Sequence, residues 1–200
     1  YEERLFALLE QKYNDLLTRF EQGYYDDEDD TRHTVQGYEP EIFGGLAAEF
    51  LQRNADAQQP FALFLSFAAP HDPHDRVGEE YMEIYKDCEV ALRPNVPEQV
   101  LQRAGVYIPR DEQARRMRGY YAHITAIDRQ IGRMVQHLKD TGLYDDSYII
   151  FCADHGDSQG CHNGMENKSG HMYDDTTKIP LMIKPPKGMA HTVTEALAST

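Results

Sequence analysis

An acid and an imidazole, Asp154 and His155, stand side by side where the apolar run of SYIIFCADHGD (147–157) stops abruptly. Such a run predicts a buried strand that delivers two metal-ligand types to its end. In an open α/β sheet the strand ends converge on a crevice that can hold a metal or an anion. Neighbouring residues of an extended chain point to opposite faces, so both can face one ion only if the backbone turns, which Gly156 permits. Asp157 is then placed to cap whatever follows. The plain alternative is an Asp and a His in an exposed strand-to-loop turn. A second place with chemical potential is AAPHDPH (68–74), where prolines hold His71 and His74 in place. A fixed imidazole suits acid–base work, although a solitary strand-end histidine is more often structural. His74 either lines a cleft or sits in a Pro-rich surface turn, and the turn is favoured.

The elements that must position these residues follow from periodicity. Leu5, Leu8, Leu9, Leu16, Leu17 and Phe20 predict an amphipathic packing helix over about 2–22, followed by the acidic run Asp26–Asp30, a solvated loop. PEIFGGLAAEFLQRNA predicts a second helix with Pro40 in its first turn and Ile42, Leu46, Phe50 and Leu51 on one face. FALFLSF has the length of a strand, so helix, loop and strand repeat the α/β alternation. Residues 75–105 read as a long loop with at most short helical turns. From Asp111 to about Gly142 a long helix carries the stripe Met117, Tyr120, Tyr121, Ile124, Ile127 and onward to Leu138, with Gly142 as C-terminal cap. Asp128 on it is a surface or salt-bridged group. KIPLMIKPP adds a last short strand.

The net charge is −14, with 20 basic against 34 acidic residues, which disfavours a nucleic-acid partner. No apolar run approaches a membrane span. Cys88, Cys152 and Cys161 have no CxxC spacing, so neither a zinc ribbon nor a disulfide framework is indicated. Cys152 reads as a small buried hydrophobe within its strand, and Cys161 as a loop residue open to solvent.

Three ordered blocks, PFALFLSFAAPHDPH (60–74), YYAHITAIDRQIGRMVQHLKDTGLYDDSYIIFCADHGD (120–157) and GCHNGMENKSGHMYDDTTKIPLMIKPP (160–186), together resemble the sulfatase family. The resemblance runs from about Gly37 to the end. It implies an α/β, alkaline-phosphatase-like fold with a mixed, mostly parallel sheet flanked by helices, incomplete and without its N-terminal part. The chain then divides into 1–36, an amphipathic helix and acidic loop, and 37–200, the central part of a catalytic domain. At 200 residues it is expected to be an internal piece, marginally stable alone and inactive as it stands.

The same resemblance implies roles. Asp154 and His155 would be metal ligands, the metal being one divalent ion and by family habit calcium, although the nitrogen donor departs from calcium's oxygen preference. His71 would match the family's Pro-His histidine near the leaving oxygen. Lys168 would match the loop lysine that contacts the sulfate, although His162-Asn163-Gly164 carries one extra residue and leaves the register of His162 and Lys168 open. The family's nucleophile is a formylglycine made within (Cys/Ser)-x-Pro-x-Arg, a motif these 200 residues do not contain, so it is expected upstream. Implied partners are a sulfated small molecule or glycan, and the implied compartment is secreted, periplasmic or lysosome-like. Two alternatives stay open. One is a metal-dependent phosphodiesterase or phosphonate hydrolase of the same superfamily. The other is a non-catalytic homologue that binds glycan or protein, against which the joint retention of His71, Asp154, His155 and Lys168 argues.

Overall fold

The computed structural model describes residues 21–25, 32–57, 59–101, 105–165, 168 and 170–188. The first is a hairpin, β1 (Glu21–Tyr25) paired antiparallel with β2 (Arg32–Gln36). The helix expected over 2–22 therefore lies outside the described residues except for Glu21 and Gln22, which are in β1; the acidic run Asp26–Asp30 also lies outside them.

One element organises the rest. Helix α3 (Arg110–Asp140) is 31 residues long, about 46 Å at 1.5 Å per residue, and is preceded by α1 (Glu39–Arg53) and α2 (Glu79–Tyr85), both of which lie against it. Asp111 and Glu112 in its first turn and His137 and Lys139 in its last complement the helix dipole. It stops at Thr141, which donates its N–H to the His137 carbonyl, and Gly142 follows at φ 76° as expected of a C-terminal cap.

The buried stripe of α3 differs from the expected one. It is built from small and polar residues, Gly119, Ala122, Ala126, Gln113, His123 and Gln130, with Met117, Ile127 and Leu138, while Ile124 is 41% exposed. Small residues let helices approach closely. A Cβ on Gly44 of α1 would stand 2.6 Å from Oε1 of Gln130. Tyr81 of α2, 1% exposed, fills the notch above Ala122 and Ala126 and donates its hydroxyl to Glu41 of α1 at 3.0 Å. Residues 75–105 are thus more than loop: Tyr81 supplies the apolar anchor of α2, and β3 (Gln99–Leu101) pairs antiparallel with β4 (Tyr107–Pro109).

A second small core joins that hairpin to the segment after residue 158. Val96, Val100 and Cys161 are buried together, with Leu92 and Ile108 against them. Cys161 is 2% exposed, so the solvent-open loop cysteine is corrected to a core thiol, whose pKa burial raises. The loop 92–96 is clamped from α3, where Arg110 donates to the carbonyls of Val96, Leu92 and Arg93.

The third pair is β5 (Ile149–Cys152) with β6 (Leu181–Lys184), again antiparallel. All three described pairings are antiparallel, and 61–68 has no ladder partner among the described residues. The expectation of buried strands does not hold here: Cys152 is exposed, Ile150 is 61% and Phe64 95% exposed. A strand buries both faces only where other elements lie on both, and none of the described residues covers these faces.

Gly119 and Gly132 make a matched test of the α3 interface. A Cβ at Gly119 would stand 1.8 Å from the His74 carbonyl oxygen, whereas one at Gly132 meets nothing within 4 Å. Gly119→Ala is expected to lose about 2–3 kcal/mol by overpacking, and Gly132→Ala to gain about 0.5–1 kcal/mol from helix propensity, both read from urea midpoints.

Candidate functional site

The end of β5 leads directly into Asp154, His155 and Gly156. His155 accepts nothing at Nδ1, which donates to the Gly156 carbonyl at 2.7 Å. That bond fixes the tautomer and leaves the Nε2 lone pair outward. Lys168 Nζ donates to Nε2, and Asp154 Oδ2 lies 3.4 Å from the same atom. Asp154 Oδ1 accepts the His155 backbone N–H at 3.0 Å, and the Asp154 side chain is 85% exposed. Asp154, His155 and Lys168, expected on separate grounds, are therefore one cluster.

Gly156 works differently from the expectation. Its φ is not positive, and what it provides is closeness: a Cβ there would stand 2.0 Å from the Asp175 carbonyl oxygen. Its N–H donates to the Thr176 carbonyl at 2.9 Å, tying the site to the short helix α5 (Asp174–Thr177). Asp157 caps as anticipated, with Oδ1 accepting from the Gln159 N–H at 2.9 Å.

Between these lies a helical turn, α4 (Cys161–Gly164), entered through left-handed Gln159 (φ 48°) and Gly160 (φ 85°). His162 and Asn163 are left-handed too, at φ 51° and 69°. His162 Nε2 donates to Asp175 Oδ1 at 3.1 Å, and its ring stacks on Tyr173 at 3.8 Å and 8°. Asp175 has a side chain only 4% exposed, with Arg93 Nη1 3.9 Å from its other oxygen. Ser158, 1% exposed, hydrogen-bonds His171 Nε2 at 3.1 Å. Of the two residues whose register the extra residue leaves open, His162 meets Asp175 and Lys168 meets His155. Asp175, Ser158 and His171 were not singled out in the sequence, where no motif marks them.

His71 sits apart from this cluster. It shares no hydrogen bond or ion pair with it among the described residues. It lines a cleft of about 160 Å³ with Tyr38, Glu39, Asp72, Arg76 and His123. The backbone there turns, with cis Ala69–Pro70 and Asp72–Pro73 bonds. His71 Nδ1 donates to the Asp72 carbonyl at 2.8 Å and stands 2.9 Å from its carboxylate, which leaves Nε2 available on a half-exposed ring. Glu39, 6% exposed, accepts the Ala68 N–H at 2.9 Å and so holds this turn to α1; burial raises its pKa.

His74 is not in a surface turn. It is 7% exposed, edge-on to Tyr120 at 5.5 Å and to His123 at 6.5 Å, and His123 Nδ1 meets Tyr38 Oη at 2.7 Å. This buried pair of imidazoles under His71 was missed because a Pro-rich context reads as surface.

The donor set suits a metal in its chemistry. His155 has its second ring nitrogen tethered to a carbonyl, the arrangement that orients metal-bound imidazoles, and an exposed carboxylate faces the same atom. Among the described residues no third His, Cys, Asp or Glu joins them. Among the described residues no helix is long and apolar enough to cross a membrane.

Comparison with known proteins supplies the context. The sequence pattern of the family described as Sulfatase matches residues 8–200. The Ulvan-active sulfatase of Formosa agariphila is 29% identical over 163 residues, covering 82% of this chain and 30% of its own. Among solved structures, yidJ of Bacteroides fragilis superposes with a TM-score of 0.70 at 31% identity, over 82% of this chain and 35% of that one. The phosphonate monoester hydrolase SpPMH of Silicibacter pomeroyi gives 0.60 at 26% identity, over 82% and 37%. The chain spans about a third of the length of the proteins it matches. These neighbours share the α/β, alkaline-phosphatase-like fold class expected above.

Burial lowers the His74 pKa from 6.5 to about 4, with His123 and Arg116 adding and Asp72 opposing. Its neutral form is the folded one, so its contribution is complete above pH 6.5 and drains as the pH falls from 6.5 to about 4. The full difference is at most about 3 kcal/mol. Urea midpoints should therefore fall between pH 7 and 4.5, and His74→Phe should flatten that slope.

Proposed function

Because the chain belongs to the sulfatase family, we propose that it forms the metal-binding and leaving-group side of a sulfuric ester hydrolase. The observation that carries this is the cluster itself: a fixed ammonium, Lys168, on the ring nitrogen of His155, beside the Asp154 carboxylate. Asp154 and His155 would hold one divalent cation that neutralises sulfate oxygens, the cation taking the Nε2 lone pair that the Lys168 ammonium occupies here and releasing that ammonium to the sulfate. Calcium is the family's habit, and the imidazole donor also admits manganese or zinc.

Lys168 contributes positive charge where negative charge develops, on the oxygen bridging sulfur and the alcohol, as that bond lengthens. His71 completes the departure. With Nδ1–H committed to Asp72, His71 would act as the imidazolium beside the Asp72 carboxylate, giving the Nε2 proton to the leaving oxygen and ending as the neutral imidazole while the product leaves as a neutral alcohol. The formylglycine implied by the family would supply the nucleophile that attacks sulfur, from outside these 200 residues, which contain no (Cys/Ser)-x-Pro-x-Arg.

The substrate class is a sulfated small molecule or sulfated glycan, in line with the ulvan-active relative. The compartment is secreted, periplasmic or lysosome-like. The likeness to a phosphonate monoester hydrolase keeps one second reading, hydrolysis of a phosphonate or phosphodiester by the same Asp154–His155 pair. A phosphate centre would be served equally by the metal, so the two readings part on which ester the full-length protein turns over faster.

Two outcomes test the proposal. The 200-residue chain alone should give no turnover of 4-nitrophenyl sulfate, and measurable turnover would show that the nucleophile lies within it. In the full-length protein Lys168→Ala should lower kcat on the order of a hundredfold with the melting temperature nearly unchanged. Equal losses of activity and stability would mark a structural lysine, and faster cleavage of 4-nitrophenyl phosphonate than of the sulfate would favour the second reading.

A further inference from the structure

Three side-chain bridges link the segment 155–162 to the segment 168–175, and they share one spacing. His155 meets Lys168, Ser158 meets His171, and His162 meets Asp175, each pair 13 residues apart. Gly156 also donates its N–H to the Thr176 carbonyl, so the second segment folds back over the first, with the site pair as one bridge and two others beside it. We propose that the Ser158–His171 and His162–Asp175 bridges are positioning devices that set the Lys168 ammonium on the site, an inference that rests on the sulfatase reading above.

The physical argument begins with entropy. A lysine carries four rotatable side-chain bonds on a mobile stem, and holding its ammonium in one place costs up to about 2 kcal/mol in side-chain freedom alone. Lys168 lies in a polar, glycine-containing stretch of sequence and belongs to no strand or helix among the described residues. Its own backbone is held by the His171 N–H, which donates to the Lys168 carbonyl at 3.4 Å. His171 in turn is fixed from two sides, its ring by buried Ser158 and its carbonyl by the Thr176 hydroxyl at 3.3 Å. The second bridge holds a carboxylate nearly sheathed from water: Asp175 Oδ1 accepts from His162, and Arg93 adds a positive charge 3.9 Å from the other oxygen. The tight stack of His162 on Tyr173 holds that ring flat, although its backbone is left-handed. Arg93 belongs to the loop that Arg110 clamps onto α3, so this bridge is braced against the long helix.

Neither bridge touches a reacting atom in this arrangement; each acts through Lys168. The gentle probe is Ser158→Ala, which removes one hydroxyl from a buried site and leaves the volume nearly intact. In the full-length protein it should lower kcat about tenfold with KM within about twofold. The loss should be greater for an alkyl sulfate than for 4-nitrophenyl sulfate, because the poorer leaving group depends more on the ammonium. In a Lys168→Ala background the same substitution should change kcat less than about twofold, the signature of two residues acting as a unit. On the second bridge Asp175→Asn, which keeps an acceptor for His162, should retain more activity than Asp175→Ala.

Equal factors with and without Lys168, or equal losses for both leaving groups, would overturn the proposal. A crystal structure adds a readout that does not depend on activity. Lys168 Nζ displaced in Ser158→Ala from its place in the unsubstituted full-length protein supports the positioning role, and Nζ unmoved overturns it. If Lys168→Ala alone leaves turnover unchanged, the sulfatase reading of that lysine fails, and the crystal structure still decides whether the bridges position it.

Discussion

The site depends first on an absence of atoms. Gly156 follows His155 directly, and the Asp175 carbonyl oxygen lies where its Cβ would be, at 2.0 Å. Only because that Cβ is missing can the Gly156 N–H reach the Thr176 carbonyl and bring α5 against the end of β5. The approach does two things at once. It turns the chain after Asp154 and His155, and it brings the segment carrying Lys168 alongside them. Any side chain at position 156 would push α5 outward and take the lysine with it.

The same device recurs on the other side of the molecule. Gly119 of α3 lies under the His74 carbonyl, and Gly44 of α1 lies under Gln130, so two elements reach α3 at backbone distance. Close approach concentrates polar groups as well. Glu39, His74, His123 and Gln130 are all buried along this face, and hydrogen bonds or ring contacts engage each of them. The turn bearing His71 is thus built on a polar floor, one that can hold a ring at a set angle but resists protonation, since charging His74 or His123 there carries a desolvation cost.

How much of this was legible in the residues varies with the physics involved. The α3 span, its Gly142 cap, the α1 start at Pro40 and the strands around IIFC and LMIK follow from local rules, and the structure has them within a few residues. The ordered blocks named Asp154, His155 and Lys168 one by one, and the structure brings their side chains together, while His71, named with them, lies apart on Asp72. What periodicity misjudged was which face of α3 is buried. The large apolar residues suggested one stripe, whereas the closest contacts run along small ones, because Gly and Ala admit neighbours that hydropathy does not register. His74 and Cys161 were misread for a related reason. Their burial is set by partners distant in sequence, α3 for the first and the β3–β4 hairpin for the second, and no local pattern encodes those.

Charge poses the remaining question, since a chain of net charge −14 must attract an anion if the sulfatase reading is right. The arrangement of acids near the site answers it. Asp175 is turned inward and shared between His162 and Arg93, and Asp157 is turned back onto the Gln159 N–H. Asp154 is the acid left open, and a cation there would convert it from repulsion to attraction. At about 4 Å one unit charge acts with about 4 kcal/mol at an effective dielectric of 20, while charges beyond about 8 Å are largely screened at physiological salt. The outcome is therefore decided by Lys168, His155 and whatever ion Asp154 holds, and the acidic exterior has little say in it.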